Sequence, residues 1–159
     1  MHRPRFVVDG MLEKLGRYLR CAGWDAVGDS QLSTASRVEI ANRDGRVFLT
    51  RNRRLRHHHP LPLLERRIVS DDPVEQMREV LALWPLEPQL VFTRCIRCNV
   101  ELEQVEREAV RALVAPRVFE HYRRFFRCPE CATVFWKGSH VRNTCRKLGL
   151  PDASERPLE

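Results

Sequence analysis

With 159 residues, 43% of them hydrophobic, the chain can bury one sizeable core and carry a small appendage, but not two full domains. Its 28 Lys+Arg outnumber 21 Asp+Glu, and the resulting formal charge of +7 favours a polyanionic partner such as RNA or DNA through counterion release. No apolar run reaches the length of a membrane helix, and Met1-His2-Arg3-Pro4-Arg5 leads into too few apolar residues for a signal-peptide core, so membrane roles are excluded and a soluble, cytoplasmic protein is expected.

Taken in chain order, Phe6-Val7-Val8 predicts a first strand ending at Asp9. A helix follows from about Met11 to Ala22, with Met11, Leu12, Leu15, Tyr18 and Leu19 on one face and Gly23 as its stop. Trp24 to Val27 reads as a weaker second strand. Ser33 or Thr34 can cap a helix carrying Val38, Ile40 and Ala41, after which Asp44-Gly45 turns the chain into the strand Val47-Phe48-Leu49, ending at Thr50-Arg51-Asn52. Beyond a basic run and two prolines, Ile68-Val69 reads as a short strand feeding Ser70-Asp71-Asp72. Asp72 then fits as the N-cap of a helix with Pro73 at its first position, Glu75 in capping-box spacing, and Val74, Met77, Val80, Leu81 and Trp84 as its buried stripe. Strands alternating with helices in this way predict an α/β domain built on a parallel sheet.

Composition changes at Pro85 to Pro88, which divides the chain into an α/β domain at 1–88, a cysteine-bearing segment at 89–143 and a polar tail at 144–159. The middle segment has too little apolar content for a conventional core and requires a staple. Cys95-Ile96-Arg97-Cys98 and Cys128-Pro129-Glu130-Cys131 supply one. Each C-x-x-C places two sulfurs on a tight turn, and two such turns complete a tetrahedron around Zn²⁺ at a Zn–S distance of about 2.3 Å. Four protein thiolates leave no open position for water, so this zinc is structural. Cys21 and Cys145 have no partner at ligand spacing and read as buried fillers. Phe125, Phe126, Phe135 and Trp136 flank the second turn and either pack around it or stack on bases.

Three candidate strands end in oxygen-bearing residues: Asp9, Asn52 and the pair Asp71/Asp72. The carboxyl ends of parallel strands share a rim where ligands bind, and carboxylates gathered there suit Mg²⁺ or Mn²⁺. Asp9 before Gly10 can equally shape a turn, and Asp72 is already explained as a cap. Arg51, Arg53, Arg54 and Arg56, followed by His57, His58 and His59, lie just beyond this rim and either contact phosphates or form a solvated surface.

Together, Asp9-Gly10-Met11-Leu12-Glu13-Lys14-Leu15-Gly16-Arg17-Tyr18-Leu19-Arg20, Leu49-Thr50-Arg51-Asn52-Arg53-Arg54-Leu55, Ser70-Asp71-Asp72-Pro73-Val74-Glu75-Gln76, Thr93-Arg94-Cys95 with Cys98-Asn99, and Cys128-Pro129 through Trp136-Lys137-Gly138-Ser139-His140 closely resemble the Mut-seven C-terminal ribonuclease domain family. The resemblance covers the chain to about residue 143. It implies a PIN-like three-layer α/β/α fold followed by a zinc ribbon, a catalytic Mg²⁺ or Mn²⁺ at the rim, and single-stranded RNA as substrate. Under it, Asp9, Asn52, Asp71 and Asp72 are the catalytic candidates, and Arg17, Arg51, Arg53, Arg54 and Arg56 the RNA-binding ones. Two positions depart from the family pattern: Asn52 stands where an aspartate is usual, and Thr34-Ala35-Ser36 lacks the acid expected in that helix, the nearest being Glu39. A metal-dependent ribonuclease with a weakened site is the reading these residues favour. The alternatives are a non-catalytic RNA-binding or ribonucleoprotein-associated module, and a zinc ribbon that docks a protein partner.

Overall fold

The computed structural model describes residues 2–57 and 60–158, so His58 and His59 of the histidine run lie outside it. Four parallel strands form the main sheet: β1 (Phe6–Val8), β2 (Ala26–Val27), β3 (Val47–Thr50) and β4 (Glu65–Arg67), in the order β2-β1-β3-β4. Chain order reverses between β1 and β3, which makes the carboxyl ends of those two strands the switch point of the sheet.

Side-chain alternation along β1 explains the layers. Phe6 and Val8 point into one core, with α1 (Glu13–Cys21) and α3 (Pro73–Leu83); Val7 points into the other, with Val38 and Ala41 of α2 (Thr34–Asp44), Phe48 and Leu55. The result is a three-layer α/β/α sandwich. Phe6 is wedged edge-on between Trp24 and Trp84, with ring centroids 5.7 and 5.1 Å away. Of the apolar stripe expected on α1, Leu12, Leu15 and Leu19 are buried, while Met11 lies in a short 3-10 turn and is exposed.

Local signals set the helix ends. The Ser33 hydroxyl accepts from the Ser36 N–H at the start of α2, and Asp72 Oδ1 accepts from Val74 and Glu75 N–H at the start of α3. Glu75 does not close the expected box, because its carboxylate meets Arg78 and the Asp72 N–H donates to Ser70 Oγ instead.

The fourth strand lies three residues earlier than Ile68-Val69. It pairs Glu65, Arg66 and Arg67 with Phe48, Leu49 and Thr50, and all three of its residues are exposed because β4 is an edge. Ile68 only continues the ladder with an N–H to Thr50 O, and Val69 is 76% exposed. A hydrophobicity reading finds buried positions, whereas an edge strand is defined by its backbone pairing.

A second, antiparallel sheet follows: β5 (Glu103–Val105), β6 (Phe125–Arg127) and β7 (Val134–Phe135), with α4 (Pro116–His121) between the first two. Its own apolar centre is small. Phe119 stacks on Phe125 at 6.3 Å, and the Arg107 and Arg111 guanidinium groups cover the Phe119 ring.

The chain then returns to the first core. α5 (Ser139–Leu148) crosses the expected boundary at residue 143 and packs against α3, burying Val141, Cys145, Leu148 and Leu150. Beyond it the segment is tied down rather than loose: Glu155 N–H donates to Lys137 O, Leu158 N–H to His121 O, and the Glu155 carboxylate accepts from Arg123 and Arg124 N–H. Sparse apolar residues hid this, because the anchors are mainly backbone groups. Among the described residues no helix is long and apolar enough to cross a membrane.

Candidate functional site

The two C-x-x-C segments form nearly identical turns. Cys98 N–H and Cys131 N–H each point at the first sulfur of their own pair, at 3.4 Å; Asn99 N–H and Ala132 N–H close the turns on Cys95 O and Cys128 O at 2.9 and 3.0 Å. Both closing residues are left-handed, at φ 63° for Asn99 and 60° for Ala132, a region that costs a residue with a Cβ about 1 kcal/mol or more. The four sulfurs of Cys95, Cys98, Cys128 and Cys131 consequently lie within 4.8 Å of one another, and Cys95 Sγ sits 3.9 Å from Cys131 Sγ. A tetrahedron with Zn–S bonds of about 2.3 Å has edges of about 3.8 Å.

The donor set also asks for a cation. Desolvation and the neighbouring sulfurs push the Cys98 thiol up to about 12, while the Thr133 hydroxyl, 3.1 Å from Cys131 Sγ, helps hold that thiol down at about 6. A divalent ion would stabilise all four as thiolates, and four soft sulfurs suit zinc. The remaining cysteines, Cys21 and Cys145, are buried free thiols in the α/β core, and burial together with the Cys145 charge pushes Cys21 up to about 12.

The cysteine cluster is joined to the main sheet by three side chains. Asn99 accepts from Ala26 N–H through Oδ1 (3.0 Å) and donates to Asp25 Oδ1 through Nδ2 (2.7 Å); Arg46 donates to the same Asp25 oxygen at 2.6 Å. Desolvation alone would raise the Asp25 pKa, but these donors outweigh it and lower it. Arg20 donates to Ala26 O and to the carbonyls of Ile96 and Arg97 in the first turn, and Arg94 donates to Gly23 and Asn99 carbonyls. Gly23 has φ +89°, and a Cβ there would stand 2.2 Å from Leu90 O, so only glycine lets the two backbones cross.

At the rim, Asp9 is 4% exposed and held from two sides: Oδ1 accepts from Gly10 N–H and Oδ2 from the Thr50 hydroxyl, both at 2.8 Å. Thr50 Oγ1 in turn accepts from Asn52 N–H at 2.9 Å, and Asn52 Oδ1 accepts from Arg54 N–H. One hydroxyl therefore links Asp9 to Asn52 across the switch point. Asp72 is spent on its helix cap, and Asp71 is exposed. Among the described residues the only group of three or more His, Cys, Asp or Glu ligand atoms close enough to share an ion is the cysteine cluster, so Asp9, Asp71 and Asp72 do not form one. Glu39 is exposed on α2.

Just inside this rim lies Arg37, 2% exposed, from the helix that lacks the expected acid. It donates to the carbonyls of Val8, Asp29 and Leu32, at 2.7 to 3.1 Å, and sits 3.4 Å from Glu13 Oε1. A fixed guanidinium thus stands beside the end of β1. Sequence reading passed over both Thr50 and Arg37, since neither a strand-terminal threonine nor a helix arginine signals burial.

Three of the five basic candidates line two separate hollows. Arg17 lines a groove of about 750 Å³ between α1, the residues after β2 and the first cysteine turn, whereas Arg51 and Arg53 line a cleft of about 270 Å³ with Arg67, Ile68 and Val69. Arg53, Arg54 and Arg56 are exposed, and none of the five pairs with a carboxylate among the described residues.

A family-wide sequence pattern described as the Mut7-C RNAse domain matches residues 4–148, from just before β1 to the end of α5. The chain belongs to the Mut7-C RNAse domain family. The match spans the α/β sandwich, the cysteine-bearing sheet and α5 together, so all three are parts of one Mut7-C unit. No curated protein and no solved structure matches the chain.

Proposed function

We propose that this Mut7-C domain is a metal-dependent ribonuclease acting on single-stranded RNA, with a reduced acidic site at the switch point of the sheet. The observation that carries the reading is the Asp9–Thr50–Asn52 linkage at the carboxyl ends of β1 and β3, in a chain matched by an RNAse family pattern. Asp9 keeps lone pairs beyond its two hydrogen bonds, and Asn52, two residues beyond Thr50, carries a neutral oxygen that accepts from Arg54 N–H and keeps a second lone pair. Mg²⁺ or Mn²⁺ needs only one or two carboxylates when waters and substrate phosphates complete its shell. When bound, such an ion supplies a hydroxide-like nucleophile and stabilises the phosphate oxygens.

The protein's own part is positioning. Thr50 fixes the rotamer of Asp9, and the Asn52 N–H fixes Thr50. Arg37 contributes positive charge beside the rim, and Arg51, Arg53, Arg54, Arg56 and Arg17 hold the RNA phosphates. Asp71, exposed just before α3, is the acid that acts at the edge of this site, while the Asp72 carboxylate is committed to the helix cap. The four-cysteine cluster takes structural zinc.

The test is cleavage of a single-stranded RNA by zinc-loaded protein with added Mn²⁺. Asp9→Asn should abolish cleavage, and Thr50→Val, which keeps the volume but drops the hydroxyl, should lower kcat on the order of 10-fold or more through misplacement. Cleavage that is equal with and without Mn²⁺, or that survives Asp9→Asn, would sink this mechanism. One observation favours a second reading: the three acids form no shared ligand group, and Arg37 occupies the helix from which a fourth was expected. A non-catalytic RNA-binding module then follows, whose affinity falls steeply with salt and ignores Mn²⁺. Cleavage appearing only in Asn52→Asp would identify it.

A further inference from the structure

β4 ends the main sheet, and among the described residues its outer edge has no neighbour. Pairing with β3 uses Leu64 O and Ile68 N–H, and by the ladder's alternation the backbone of Arg66 as well. The N–H and C=O groups of Glu65 and Arg67 therefore face outward, and neither residue has a hydrogen-bond partner for them among the described residues. Around this edge stand the exposed apolar side chains of Leu63 (78%) and Val69 (76%).

Charged residues on an edge strand ordinarily guard it against pairing. Here their order is self-complementary. In an antiparallel pair centred on Arg66, Glu65 falls opposite Arg67 of the second copy and Arg67 opposite its Glu65. Positions 65 and 67 share one face of the strand, so that face carries two ion pairs, while Leu63, in a bend with its N–H on Asn42 Oδ1, and Val69, with its N–H on Glu79 Oε2, bound the pairing at either end. The same register makes Glu65 and Arg67 the hydrogen-bonded positions and Arg66 the non-bonded one, which agrees with the backbone groups that β3 leaves free.

We propose that a second copy of this chain pairs with the first along β4, extending two four-stranded sheets into one eight-stranded sheet about a two-fold axis through Arg66. Arg66 opposes its own copy across this axis, and like charges placed directly opposite weaken the pair. The contact is small and the association concentration-dependent.

Sedimentation velocity on the zinc-loaded full chain, at up to roughly 100 µM as suits a small interface, tests it. The parent should shift towards twice its mass as concentration rises. Glu65→Arg alone and Arg67→Glu alone should each sediment as a monomer, while an equimolar mixture of the two should associate, because positions 65 and 67 then face each other with opposite signs at both places, as in the parent. The double exchange Glu65→Arg with Arg67→Glu should associate like the parent, and Arg66→Thr should tighten association several-fold. The mixture also guards against misfolding, since variants that had lost their fold would not recover association on mixing. A parent that stays monomeric throughout the range, or single variants that dimerise as well as the parent, would overturn the proposal.

Discussion

Asn99 does two jobs with one side chain. It occupies a left-handed position that closes the first cysteine turn, and it spans the gap to the main sheet by accepting from Ala26 N–H and donating to Asp25. Asparagine suits both, because it tolerates positive φ better than other residues with a Cβ and carries a donor and an acceptor on one planar group. Asn99→Ala should cost about 3 kcal/mol, from the orphaned Ala26 N–H, the lost bond to Asp25 and the added backbone strain. Asn99→Gly should recover about 1 kcal/mol of that, the strain alone. Denaturant unfolding of the zinc-loaded variants measures both, and equal losses would mean that the backbone conformation contributes nothing. Ala132 occupies the matching position in the second turn with no side-chain anchor, so the two turns share a geometry but only the first is docked.

At the scale of elements, the start of α3 gives one of the candidate acids a structural role. Asp72 Oδ1 accepts two backbone N–H groups that the helix itself cannot satisfy. Asp72→Ala should cost about 1 kcal/mol, whereas Asp72→Asn keeps the acceptor and should cost only a fraction of that. Thermal unfolding gives the stability difference, and RNA cleavage by Asp72→Asn then isolates any catalytic share. If Asp72→Asn cleaves like the parent, the residue is a cap alone. β4 teaches the complementary point: a strand can be made of Glu, Arg and Arg when its pairing partner is a buried neighbour and its faces look outward at the edge.

Across the whole molecule, the cysteine-bearing sheet is inserted between two helices, α3 and α5, that belong to the same core. The insertion is also tied to the sheet through Asn99, Arg20 and Arg94. Removal of the sulfur-bound ion should therefore be felt beyond the ribbon. Stripping it with a strong chelator should lower the unfolding midpoint of the entire chain in one transition, because the second sheet has too little apolar content to stand without the metal. Far-UV circular dichroism with heating checks this. Two separated transitions, with the upper one unmoved by the chelator, would show that the α/β sandwich is indifferent to its insertion.

The sequence by itself determined the α/β sandwich and the sulfur cluster, since both are written in local terms. β1 and β3 are continuous apolar runs because they are buried on both faces, α1 and α3 show their period and caps, and a C-x-x-C pair brings its two sulfurs together within one turn. Only the tertiary structure decided which strand-end residues meet. That Thr50 bridges Asp9 and Asn52, that Asp72 serves α3, and that Arg37 is drawn under the rim by three carbonyls from separate segments all depend on contacts between residues far apart in the chain. The return of α5 to the first core was likewise invisible, because Val141, Cys145 and Leu148 make a narrow stripe in a polar helix whose partner, α3, lies more than fifty residues earlier. Local pattern fixes elements through backbone periodicity; partners at long range are set by packing, which no single stretch of sequence contains.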